Sequence, residues 1–270
     1  MMSNRSRTTR VVAGPVVAMA LAVFGALVGL GAEAQAQAHG AWTAGTARTL
    51  PAGGYSVGVF QPVRVGVHDK VEVSSHLLFA LIEPNLDVKF QWAATERMQI
   101  ATIHSLVYPT ALLRQLACRD NFCAFPATSE IPPMVGLENG VLGTAAFGDV
   151  AVTLKLTSRV GMRGGELRMP SIDLPLAFTR LAQYQDDVVT FVAGVDVDGP
   201  IWGPLFFTLD VDLWQMFGQP ERTAVEHSTT LRWDATEHFS VFGGYKFIWG
   251  EYPFGNAWHV LPMLDVAWAY

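Results

Sequence analysis

Residues 264–270 read Leu264-Asp265-Val266-Ala267-Trp268-Ala269-Tyr270. Leu264, Val266, Trp268 and Tyr270 are large and apolar, while Asp265, Ala267 and Ala269 are charged or small. Period 2 with one apolar face marks a β-strand. The same period recurs upstream. Leu86, Val88, Phe90 and Trp92 alternate with Asp87, Lys89 and Gln91, and Val152, Leu154 and Leu156 with Thr153, Lys155 and Thr157. Val195 and Val197 alternate with Asp196 and Asp198, and Phe207, Leu209, Val211 and Leu213 with Thr208, Asp210 and Asp212. Leu231 and Trp233 alternate with Arg232 and Asp234, while Phe239, Val241, Tyr245 and Phe247 share one face against Ser240 and Lys246. The windows approach the roughly 9–11 residues that a tilted membrane-spanning strand needs.

The N-terminus has a different character. Arg5, Arg7 and Arg10 precede an apolar stretch from Val11 to Gly31, and Ala34-Gln35-Ala36 and Ala36-Gln37-Ala38 both suit small-x-small cleavage. Residues 1–38 therefore read as a secretory signal peptide. A retained anchor is the alternative, disfavoured by Gly14-Pro15. Taking Arg5, Arg7, Arg10 and Glu33 from 18 basic and 24 acidic residues leaves 15 against 23, roughly −8. No basic cluster offers a nucleic-acid surface. Apolar residues make up 50% of the chain, yet no second run of about 18 follows the leader, so helical spans are not expected there. Apolar content without long runs suits strands that show one face to lipid.

Short polar turns are expected at His68–Lys70, Ala93–Glu96, Gly161–Gly165 and Ala235–Glu237, and a long connection over 108–140. Two windows are weakened by proline, Gly54–Val67 (Pro62) and Leu167–Thr179 (Pro170 and Pro175).

The leader, the repeated alternation and the aromatic end at Leu264, Val266, Trp268 and Tyr270 together resemble single-chain bacterial outer-membrane β-barrels. The resemblance implies an all-β, antiparallel, up-and-down transmembrane barrel of an even number of strands, ten being expected and twelve next. It implies an N-terminal periplasmic segment at 39–53, a barrel over 54–270 and an extracellular loop at 108–140. It also makes the last strand the signal read by the insertion machinery, and lipid and small ions or solutes the partners. A secreted soluble β-sandwich binding protein is the alternative.

A Lys or Arg on the lipid face costs about 2–4 kcal/mol at the midplane, so strand charges should point inward. The lumen set is then Glu72, Asp87, Asp196, Asp198, Asp210, Asp212, Asp234 and Asp265 against Lys89, Lys155, Arg232 and Lys246. These groups either pair across a plugged lumen or line a narrow, cation-favouring passage. Asp196, Asp198, Asp210 and Asp212 offer a calcium alternative, though no metal or cofactor is expected. His238 and Ser240 have the His-x-Ser spacing of outer-membrane lipid hydrolases, a second functional alternative, but no orienting acid is identifiable. Trp92, Trp202, Trp214, Trp233, Trp249, Trp258 and Trp268 are placed as interfacial aromatics. Cys118 and Cys123 are expected to pair in an oxidising compartment.

Overall fold

The computed structural model describes residues 42–80, 83–116, 129–168, 181–184, 188–218, 222–252 and 255–270. The leader (1–38), Cys118 and Cys123 lie outside these residues. The described residues form one closed antiparallel barrel of twelve strands. These are β1 (Tyr55–Gly58), β2 (Val63–His68), β3 (Val71–Ser75), β4 (Asn85–Ala94), β5 (Met98–Val107), β6 (Met134–Phe147), β7 (Val150–Arg163), β8 (Val189–Trp202), β9 (Leu205–Phe217), β10 (Arg222–Asp234), β11 (Phe239–Tyr252) and β12 (Gly255–Ala269). Each strand pairs with its sequence neighbours, and β12 closes on β1.

Twelve strands replace the expected ten. The Pro62 window does not form one strand: it divides into β1 and β2, with Pro62 in the link. Most of the Pro170 window, 169–180, lies outside the described residues. Gly161–Gly165 is not a short turn, because β7 continues to Arg163 and a long connection follows. The long loop ends before β6 begins at Met134, and it carries a helix over Thr110–Leu116. The glycines, Glu138 and Asn139 at the start of β6 had hidden its alternation.

The strands are unequal. β1, β2 and β3 have 4, 6 and 5 residues, whereas β6 to β12 have 13 to 15. The seam is therefore short: Ser56, Val57 and Gly58 pair with Ala269, Trp268 and Ala267, flanked by backbone hydrogen bonds of Tyr55 with Tyr270 and of Val59 with Val266. Backbone N–H groups alternate sides along a strand. Tyr270 exchanges two hydrogen bonds with Tyr55, while the Ala269 N–H turns to His238. Even-numbered positions of β12 thus aim their N–H toward the β1 side. Beyond the short seam that side has no strand partner among the described residues, and position 262 there is proline, which has no N–H to leave unpaired. Pro200 sits at the register shift between Pro200 and Trp202 in β8.

The outward residues form an apolar belt. Leu264 is 72% exposed, and Val57, Val141, Val195, Val211 and Val260 are exposed likewise. Tyr55, Trp92, Trp202, Trp233, Trp268 and Tyr270 lie outside at the end bearing the short turns, whereas Trp258 lies outside near the long-loop end. Trp258 and Trp268 are separated along β12 by about 34 Å of extended chain. At a strand tilt near 40° that is about 26 Å along the barrel axis, the height of a lipid-facing band. Trp214 is the exception among the expected interfacial tryptophans, since it is buried inside the barrel.

Residues 42–53, expected ahead of the barrel, run within it. Ala47 is 0% exposed and Leu50 1%. A second insert, the 3-10 turn Leu181–Tyr184, folds back from the β7–β8 connection against β6 and β7 and buries Tyr184.

Candidate functional site

Strand alternation directs the polar positions inward, and register then sets them side by side. Glu72 opposes Lys89, Lys155 faces the β8–β9 hairpin, and Asp196 opposes Asp210. The lumen consequently holds connected ion pairs rather than scattered charges.

The first network ties the inner segment to the wall. Glu72 meets Arg64 at 3.3 Å and Lys89 at 3.1 Å. Its other oxygen accepts from the Thr43 hydroxyl and, at 3.0 Å, from the Leu50 N–H. Lys89 Nζ donates to the carbonyls of Thr43 (2.9 Å) and Arg48 (2.8 Å). Gln91 donates to the Ala47 carbonyl at 3.1 Å, and the Ala47 N–H donates to the Thr144 hydroxyl at 2.8 Å. A chain inside a barrel has no ladder of its own, so side chains must satisfy its backbone. Trp42 packs edge-on against Phe242 of β11, and Ala47 is bonded to β6. Four strands lie between β6 and β11 on one side of the barrel and six on the other, so the segment crosses the lumen.

The second network centres on Lys155. Its ammonium lies 3.0 Å from Asp196, 2.6 Å from Asp210 and 2.9 Å from Asp212. These carboxylates gather round a protein cation, and no His, Cys, Asp and Glu grouping suited to a metal occurs among the described residues. Lys246 pairs with Glu226 at 2.7 Å. Arg232 reaches Asp234 at 2.9 Å and stacks over Phe206 and Trp42, and Asp198 is near enough to act on it electrostatically.

Three residues have roles other than simple lumen pairing. The Asp265 carboxylate accepts from the backbone N–H groups of Val59 (3.0 Å), Phe60 (3.2 Å) and Gln61 (2.8 Å), holding the β1–β2 link. The Ser240 hydroxyl donates to Asp234 at 2.6 Å. The His238 ring is turned to the outer aromatics Trp268 and Tyr270, with Nδ1 2.9 Å from the Ala269 carbonyl. His238 and Ser240 are thus engaged elsewhere and form no nucleophile–base pair with each other.

Nearer the long-loop end, Asp87 accepts from Ser74 at 3.3 Å, and Arg159 pairs with Glu138 while lying 4.2 Å over the Trp214 ring. Arg64, Glu138, Arg159 and Glu226 were not among the residues expected from sequence. Arg64 lay in the proline-weakened window and Glu138 in the presumed loop. Arg159 lay past the window 152–157, although the same alternation carries it inward. Thr43 to Leu50 carry no period at all.

No family model matches the chain, and no curated protein matches it in sequence. Among solved structures it is similar to OmpT, an outer membrane protein of Vibrio cholerae, at 7% identity and a TM-score of 0.44, with 80% of this chain and 64% of that one covered. The loop L8 deletion mutant of that protein gives 8% identity and a TM-score of 0.42, with coverage of 80% and 62%. The ferric yersiniabactin uptake receptor FyuA from Yersinia pestis gives 10% identity and a TM-score of 0.22, with coverage of 80% and 43%. The chain spans less than two thirds of the length of each. The fold itself is a closed antiparallel barrel of twelve strands with an apolar outer belt.

Proposed function

We propose that the chain is a non-enzymatic outer-membrane barrel whose passage is closed at rest by its own segment 43–52. The supporting observation is the crossing of the lumen by that segment, bonded to Glu72, Lys89 and Thr144 of β3, β4 and β6 and preceded by Trp42, which packs on Phe242 of β11. An acidic surplus remains around Lys155, where three carboxylates share one ammonium. A path opened past the segment would therefore favour cations over anions. Strand β12 acts as the signal for insertion, and the belt makes lipid the surrounding partner.

Planar-bilayer recording tests the reading. The intact protein should show no steady conductance. A variant lacking residues 43–52 should conduct and prefer potassium to chloride. Steady conductance by the intact protein, or silence from an inserted deletion variant, would refute the self-closed passage. Anion preference would refute the acidic-lumen argument.

A further inference from the structure

One row of outward side chains breaks the apolar belt. Val88, His104, Asn139 and Ser158 oppose one another on four consecutive strands, β4 to β7. Two positions nearer the long loops the row is Leu86, Leu106, Leu137 and Val160, and two positions nearer the short turns it is Phe90, Thr102, Val141 and Leu156. Leu106, Leu137 and Val160 on one side, and Phe90 and Val141 on the other, are exposed, so apolar surface encloses the polar row. Val88 lies four residues along β4 from Trp92, about 10 Å up the barrel axis at a tilt of about 40°. The row therefore stands well inside a lipid-facing band of about 26 Å, away from water and headgroups.

Most hydrogen bonds of this row close within it. His104 Nδ1 lies 2.8 Å from the Asn139 side-chain oxygen, and its Nε2 lies 3.2 Å from the Thr102 hydroxyl. That hydroxyl accepts from the Trp92 indole N–H at 2.9 Å. The Asn139 side-chain NH2 is left with no hydrogen-bond partner among the described residues. His227, outward on β10, is complete by contrast. Its Nδ1 lies 3.0 Å from the Asp210 carbonyl, and its Nε2 lies 3.1 Å from both the Tyr245 and Thr229 hydroxyls.

An amide N–H without an acceptor is costly in hydrocarbon, and polar side chains between membrane segments hydrogen-bond across their contact. A carboxamide carries donor and acceptor together, so it is complementary to a second carboxamide turned by a two-fold axis. None of the twelve residues in the three rows is charged, so nothing in them repels a second copy.

We propose that the outer face of β4 to β7 is a self-association surface in the membrane. Asn139 of each copy pairs with Asn139 of the other across a two-fold axis, and the flanking apolar rows pack around the pair. The proposal rests on the bilayer-embedded belt and not on closure of the lumen by segment 43–52.

Förster transfer between donor- and acceptor-labelled protein, mixed in phosphatidylcholine vesicles, tests it. Transfer should rise to saturation as lipid is reduced, and should vary linearly with acceptor fraction, as a dimer requires. Asn139→Leu should weaken association at least about tenfold, although it replaces an unpaired amide by a side chain suited to lipid. Val260→Ala, on β12 across the barrel, should leave it unchanged. Heat-dependent gel mobility establishes that each variant is folded and inserted. Inserted protein that stays monomeric at every ratio would overturn the proposal and leave the row to lipid or to a different membrane protein. A curved dependence on acceptor fraction, unchanged association of inserted Asn139→Leu, or equal weakening by Val260→Ala would overturn it as well. Failure of the parent protein to insert would refute the embedded belt itself, and the proposal with it.

Discussion

Lys155 and Asp265 show how differently two inward charges on one barrel can act. Lys155 is the shared cation of Asp196, Asp210 and Asp212, and its side chain is only 16% exposed. Replacing it by Met leaves three neighbouring carboxylates without their counter-charge. Removing one partner of a buried pair costs about 3–5 kcal/mol, so Lys155→Met should lower the urea midpoint of the folded barrel by a corresponding amount. A midpoint within error of the parent would show that the acids are neutralised some other way. Asp265, in contrast, holds backbone. Asp265→Ala strands the donors of Phe60 and Gln61, leaves Val59 only its longer bond to the Val266 carbonyl, and should cost about 1–3 kcal/mol. The loss should appear as faster amide exchange over 59–61 and not over β8 or β9. Both residues were legible as inward from alternation alone. Their different roles were not, because alternation says which side a carboxylate faces and nothing about which donors wait there.

At the scale of elements, the short strands β1 to β3 and the inner segment belong together. Gly66 of β2 exchanges backbone hydrogen bonds with Gly53 and Gly54, and a Cβ at position 66 would overlap the Pro51 carbonyl. The segment can lie against the wall only because that wall position has no side chain. Gly66→Ala should therefore displace residues 50–54, costing about 1–3 kcal/mol as an overpacked contact. Limited proteolysis should then cut the N-terminal segment, which the parent protects, and continued protection would show that the contact relaxes without detachment. The same economy of wall explains Pro262. The short β1 leaves the outer edge of β12 without a partner strand among the described residues, and proline occupies a position whose N–H would have faced that edge. Strands β4 and β7 to β12 were readable as alternating windows and the His68–Lys70 turn set β3 apart, whereas β1 and β2 were not separable. Strands of four and six residues on either side of Pro62 carry too few periods to divide that window.

For the whole molecule the decisive property is the outer surface. Val211 lies midway along β9 and faces outward, 46% exposed. In lipid, Val211→Arg should cost about 2–4 kcal/mol in refolding into vesicles. On a water-facing surface the same change would fall within about ±0.5 kcal/mol, so a neutral result would contradict a bilayer-embedded belt. The belt and the inward charges were both written in the period of the chain, because side chains on a strand alternate between two faces and lipid tolerates only one kind. Class of fold, side of each strand residue and the aromatic end of β12 followed from that local rule. The number of strands, the partners of each charge, the inserted turn Leu181–Tyr184 and the crossing of the lumen by residues 42–53 did not. Those depend on which strands become neighbours and on what space closure leaves inside, and no local period encodes a contact such as that between Ala47 and Thr144, 97 residues apart.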